Sequence, residues 1–180
     1  MIGIIIPTLN EESTVEAMLS QFSDELIEKH SVEGIDRFIT TMLEAVRPPN
    51  VVAATCPVYV YPEEETVLDG LYHRLHNLHV WFLNLLGLGT GRGECHVVKR
   101  EEFSLVGGYN EQLAAGEDFD LFMKLAQRGK IKFVRSLKLY ESPRRYRKLG
   151  YLRVTLFWLL NALSIMFFRK SFSKEWEPVR

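Results

Sequence analysis

The chain has 180 residues, 47% of them hydrophobic and 25% charged, and a formal net charge of −1. That length favours one domain with a sizeable core, and the near-zero charge excludes an overall polyanion binder, so no nucleic-acid partner is expected. Cys56 and Cys95 stand far apart in sequence without metal-ligand spacing and read as small buried residues of a reducing, cytoplasmic compartment.

Residues 2–6 form a short apolar run ended by Pro7 and read as a buried parallel strand. No basic segment precedes the run, so it does not read as a secretory leader. Thr8-Leu9-Asn10 is a turn, and residues 11 to about 19 read as a helix with acidic first-turn residues. A second helix is expected over about 32–46, with Phe38, Met42 and Val46 on its apolar face, until Pro48-Pro49-Asn50 breaks it. Residues 51–61 are β-rich but interrupted by Pro57, which predicts two strand pieces or an edge.

From about residue 66 to 86 the pattern is helical. Its three histidines, His73, His76 and His79, lack the i, i+4 spacing of a helical metal pair, and Trp81 and Phe82 read as core or acceptor-side packing. The four glycines between 87 and 93 demand a loop, but they lack the spacing of a dinucleotide fingerprint. Residues 95–98 read as a strand, 100–105 as a helical turn, and Gly107-Gly108 as a turn using positive φ. A helix over 117–127 is closed by Gly129 as its C-terminal signal. Strands follow at 131–134 and 137–140, and a last helix at about 150–168. The alternation argues an α/β fold with a mixed sheet.

Three features carry potential chemistry. Gly116-Glu117-Asp118-Phe119-Asp120-Leu121 places three acids at a helix start shortly after Gly107-Gly108-Tyr109. Capping alone accounts for acids there; a general base is the other reading. Between residues 132 and 153 eight cations face one acid, Glu141. Such a run suits a solvated face, a collar beside the next helix, or phosphate binding, where the arginine fork donates two hydrogen bonds. Residues 154–168 carry no charge. At 1.5 Å per residue they span roughly 22 Å, short of a bilayer core of roughly 30 Å. Arg153 precedes them and Arg169-Lys170 follows, so a helix lying in the interface or between subunits is expected rather than a crossing.

The opening Ile4-Ile5-Ile6-Pro7-Thr8-Leu9-Asn10-Glu11-Glu12, the order of Arg92-Gly93-Glu94, Phe103, Gly107-Gly108-Tyr109 and Gly116-Glu117-Asp118, and the later Arg144-Arg145 together resemble the family 2 glycosyltransferases of GT-A fold. The resemblance implies a shortened GT-A-like α/β domain over residues 1–150, with a donor-side strand and helix at 1–20 and an acceptor-side half at 32–150. Residues 151–180 form a C-terminal apolar helix and tail. It implies inverting transfer of a sugar from a nucleotide-sugar donor to an acceptor hydroxyl or lipid phosphate. Asp118 would be the general base beside Glu117, kept ionised by its helix N-terminus. Pro7, Thr8, Asn10, Glu11, Arg144 and Arg145 would bind the donor. The acceptor would be a polysaccharide or lipid-linked, and the enzyme peripheral to the cytoplasmic side of a membrane or oligomeric through residues 151–168.

Similar enzymes also use a divalent cation, Mg²⁺ or Mn²⁺, held by an Asp-x-Asp motif against the donor diphosphate. This sequence has none at a fitting place. Asp118-x-Asp120 has the spelling but sits in the base motif, and Asp24-Glu25 is the nearest positional stand-in. Between residues 19 and 51 there is room for one helix and little else. The alternative function is therefore an inactive glycosyltransferase-like scaffold or subunit at the membrane. A nucleotidyltransferase is disfavoured, because Pro7-Thr8-Leu9-Asn10 is not a glycine-rich basic loop.

Overall fold

A computed structural model describes residues 2–4 and 35–175, with side chains from Arg37 onward. The helix expected at 11–19 lies outside these residues, as do Pro7, Thr8, Asn10 and Glu11.

The chain is a mixed α/β fold. Strands β1 (Ile2–Ile4), β2 (Val51–Thr55), β4 (Val97–Lys99) and β5 (Lys130–Phe133) form one sheet in the order β1-β4-β2-β5. β4 is antiparallel to both neighbours, and β2 and β5 are parallel. The expectation of a parallel neighbour for the opening strand is thus overturned: Ile2 pairs with Lys99 and Ile4 with Val97 across an antiparallel ladder. An apolar run signals burial but not the direction of the strand beside it, and here β4 inserts between β1 and β2.

β2 is buried along its whole length because helices cover both faces. Helix α1 (Ile35–Val46) places Met42 and Val46 on one face, against Val51, Ala54 and Val97. Helix α4 (Glu117–Ala126) places Leu121, Phe122 and Leu125 on the other, against Val52, Val98 and Ile131. Each of those three side chains is fully buried and contributes about 1.5–3 kcal/mol. The two cysteines lie in the α1-side core, where the Cys56 thiol is raised well above its ordinary value by a hydrogen bond to Cys95 and by burial.

Pro57 divides the β-rich stretch as expected, but the second piece joins another sheet. β3 (Val58–Val60) pairs in parallel with β6 (Leu139–Glu141). Helix α2 (Val67–Leu85) packs on β3, and its Asn77 side chain bonds both the N–H and the C=O of Val58. Thr66 caps α2: its hydroxyl accepts the Asp69 N–H at 3.3 Å, and Asp69 accepts the Thr66 N–H at 2.8 Å.

Short helix α3 (Arg100–Leu105) ends at Gly107 and Gly108, both at positive φ. Gly129 follows the end of α4, where its N–H bonds the Leu125 C=O at 3.2 Å, and it has a packing role as well. It is not left-handed; a Cβ there would stand 2.6 Å from Val52 Cγ1 and 2.9 Å from Asn50 O, so the glycine permits a close backbone approach. The arginine-rich segment is itself helical, α5 (Arg144–Leu149), and Gly150 turns it into α6 (Tyr151–Phe168).

Candidate functional site

The glycine loop before β4 brings together residues that sequence spacing keeps apart. Arg92 N–H reaches Thr55 Oγ1, at the carboxyl end of β2, at 3.4 Å. This is where open α/β sheets bind ligands. The buried Arg92 guanidinium donates to Glu141 Oε1 at 2.6 Å and to Glu94 Oε2 at 3.3 Å. Tyr146, the buried residue of α5, donates its hydroxyl to Glu141 at 2.9 Å. His73 Nδ1 stands 3.5 Å from the same carboxyl, and its ring meets Tyr146 edge-on.

Glu94 and Glu141 also hydrogen-bond to each other. Two carboxyls around one guanidinium divide unequally. Burial and the Glu94 charge push Glu141 well above the carboxylate range. Burial raises Glu94 too, but Arg92 and the Glu141 hydrogen bond outweigh it and hold Glu94 down to about 2. Of the two, Glu141 takes up a proton the more readily, and Glu94 keeps its charge opposite Arg92. His73 and His96 are held down to about 4 chiefly by burial, so both rings are neutral near pH 7.

Asp118 lies beside this network. A Cβ built on Gly93 would be 3.7 Å from Asp118 Oδ2, so the loop backbone passes directly along the carboxylate. Asp118 Oδ1 accepts the Phe119 N–H at 2.7 Å. The helix N–H bonds favour the ionised form of this acid, the direction expected, but they are not the largest influence on it. Burial raises it to about 6, with Glu94 adding, against the helix N–H bonds. Glu117 is raised as well, by burial and by Asp118. Burial, with Asp118 and Glu117 adding, pushes the Tyr109 hydroxyl up to about 12, and Tyr109 bonds His96 Nδ1 at 3.0 Å. The Gly107-Gly108-Tyr109 turn and the acidic motif therefore share one site. Asp120 does not: it is buried in an ion pair with Lys124 at 2.9 Å.

The acidic motif is held from outside by α6. Gly116 adopts φ +83°, and a Cβ there would stand 2.6 Å from Ile165 Cδ1. Ser171 Oγ accepts the Ala115 N–H and donates to the Ala115 C=O. Buried Asn161 accepts from Phe172 N–H, Ser173 N–H and Ser173 Oγ, folding the tail back against the helix.

Arg144 and Arg145 occupy the first turn of α5, the helix that carries Tyr146 to the buried network. Arg144 is exposed. Arg147, which the sequence did not single out, pairs with Asp69 at 2.8 Å. Arg92, Glu94, Glu141 and His73 were also missed as site residues. An arginine and a glutamate within a glycine-rich stretch were the available signal, but Glu141 and His73 join only through the fold. Trp81 is covered by the Arg135 guanidinium at 4.3 Å, while Phe82 is about half exposed, which leaves acceptor-side packing rather than the core for it.

The described residues do not fit the divalent cation that the resemblance implies. Among them no three His, Cys, Asp or Glu side chains gather as a ligand set, the three histidines of α2 included. The adjacent carboxyls of Glu94 and Glu141 are taken by Arg92. Comparisons with protein-family models, curated proteins and solved structures find no match to this chain.

Proposed function

We propose that the protein transfers a sugar, with inversion, from a nucleotide-activated donor to an acceptor hydroxyl on a polysaccharide or lipid-linked glycan. The reaction would take place at the cytoplasmic surface of a membrane. The observation that carries the reading is Asp118: a partly buried carboxylate at the start of α4, pushed up to about 6, flanked by loop backbone at Gly93 and by Tyr109. A base whose pKa lies just below working pH is ionised and still strong enough to accept a proton. As the acceptor oxygen bonds the anomeric carbon, the bond to the diphosphate breaks. Its electron pair leaves with the nucleotide, and the acceptor proton passes to Asp118. Arg144 and Arg145, on the helix beside the network, are assigned to the diphosphate.

The test is nucleotide release and sugar transfer from a panel of UDP- and GDP-sugars. Asp118→Asn should lower turnover by at least about a hundredfold. The rate of the unaltered protein should fall as pH drops through about 6. Near-normal turnover of the Asn variant would remove Asp118 from the chemistry. Absence of transfer from every donor would favour an inactive membrane-associated subunit.

A further inference from the structure

Helix α2 is amphipathic with the wrong side out. Its face toward the protein carries Asp69, His73 and Asn77, all buried. Its outward face carries Leu68, Leu71, Leu75, Leu78 and Phe82 at the 3–4 residue spacing of one stripe, each about half exposed or more. Polar groups inside and leucines outside reverse the arrangement a water-facing helix adopts.

α6 lies beside α2 and runs parallel to it. Tyr151 donates to Asp69, Tyr72 and Thr155 share a 3.0 Å hydrogen bond, and His76 meets Trp158 at 5.5 Å between ring centres. The paired positions rise together along both helices. α6 buries Val154, Asn161 and Ile165 inward and leaves Leu152, Leu156, Leu159 and Leu163 exposed. On each helix the leucines lie opposite the buried residues, so both stripes are turned away from the protein. They form one apolar layer, larger than isolated surface residues make.

The exposed charges carried by the two helices have one sign. α6 contains no acid, and the single acid of α2, Asp69, is buried and paired with Arg147. Arg74 on α2, Arg153 on α6, and Arg169 and Lys170 at the end of α6 are exposed. Glu63, Glu64 and Glu65 are exposed and precede α2, outside both helices. Two copies stacked on this layer would bring cations together with no carboxylate from either helix to oppose them. An anionic headgroup layer over hydrocarbon matches both the apolar face and its rim.

We infer that α2 and α6 together form a two-helix membrane platform that lies in the interface of an anionic bilayer, with the α2 leucines contributing as much as α6. This extends the membrane-surface part of the function proposed above and does not depend on the chemistry at Asp118. Through Gly116–Ile165 and Ala115–Ser171 the same platform fixes the acidic motif near the bilayer.

The experiment is flotation of the full chain, without nucleotide sugar, on vesicles of phosphatidylcholine alone or mixed with phosphatidylglycerol. Two triple variants are compared, Leu71→Gln/Leu75→Gln/Leu78→Gln on α2 and Leu156→Gln/Leu159→Gln/Leu163→Gln on α6. Far-UV circular dichroism checks that both fold. The unaltered chain should float on the mixed vesicles, and each variant should bind at least about tenfold more weakly. An α2 variant that floats like the unaltered chain overturns the inference and leaves α6 alone as the anchor. Equal flotation on both vesicle types overturns the anionic match. A dimer lost in the α2 variant, with no flotation by any form, overturns it in favour of a second copy. Because no donor is present, none of these outcomes bears on sugar transfer.

Discussion

Arg92 and Glu141, 49 positions apart in the chain, meet in a 2.6 Å charge-assisted hydrogen bond at the end of β2. The contact joins the glycine loop to the second sheet and, through Tyr146, to the arginine-rich helix. It also bears on how Glu94 and Glu141 stand together: Glu94 keeps its charge opposite Arg92, and Glu141 takes up a proton the more readily. Removing the guanidinium leaves that charge without its partner. Arg92→Gln should destabilise the fold by about 1–3 kcal/mol, since Glu94 is itself partly exposed and water screens its charge. Glu141→Gln mimics the neutral carboxyl that burial favours there, still accepts from Arg92 and Tyr146, and should cost less than about 1 kcal/mol. Urea denaturation of both variants measures the difference, and equal losses would refute the proton assignment.

Asp118 is expected to lower stability while serving the reaction. Raising its pKa from the ordinary 3.8 to about 6 disfavours the ionised form by at most about 3 kcal/mol, and by less for a partly exposed group. The sign follows from proton binding. Between about pH 4 and 6 the folded chain holds a proton on Asp118 that the unfolded chain has released, so the penalty is complete above 6 and absent below 4. Asp118→Asn should therefore be about 1–2 kcal/mol more stable than the unaltered protein at neutral pH, a gain that vanishes toward pH 4. Paired denaturation curves across that range test it.

The buried histidines act in the opposite sense. His73 and His96 titrate near 4 in the fold and near 6.5 when unfolded, so the unfolded state takes up protons first. Their contribution is complete above about 6.5 and is lost as pH falls toward 4. His96→Gln should flatten the decline of stability over that window. An unchanged slope would show that His96 takes up its proton equally in the folded and unfolded states.

Gly116 is required twice, by its φ of +83° and by Ile165 Cδ1 against it. Gly116→Ala should cost about 1–3 kcal/mol. Ile165→Val removes the offending methyl and should recover part of that loss, giving a measurable coupling in a double-mutant cycle. Strict additivity would place the cost in the backbone alone.

For Arg144 and Arg145, replacing both with Ala should weaken binding of a nucleoside diphosphate far more than of the bare nucleoside. Calorimetric titration of the two ligands decides the matter. Equal losses would remove phosphate contact from this pair.

Much of the local structure could be read from the sequence because it depends on neighbours within one element. Residues 100–105 form the expected helix, and Pro57 splits the strand pair as expected. Gly107 and Gly108 take the positive φ that their turn demands. The acidic start of α4 and the uncharged stretch of α6 are local patterns too. The tertiary structure decided what depends on partners. Strand direction at β1 was set by the insertion of β4, and the need for glycine at 129 by Val52 and Asn50 across the sheet. Asp118 has an ordinary side chain whose elevated pKa comes from burial and from Glu94, a charge delivered by another loop. Nor could the periodicity of α2 reveal which stripe faces out. Leucine spacing fixes only that one side is apolar, while Asn77 bonding Val58 and Asp69 bonding Arg147 turn the polar side inward and leave the leucines outside.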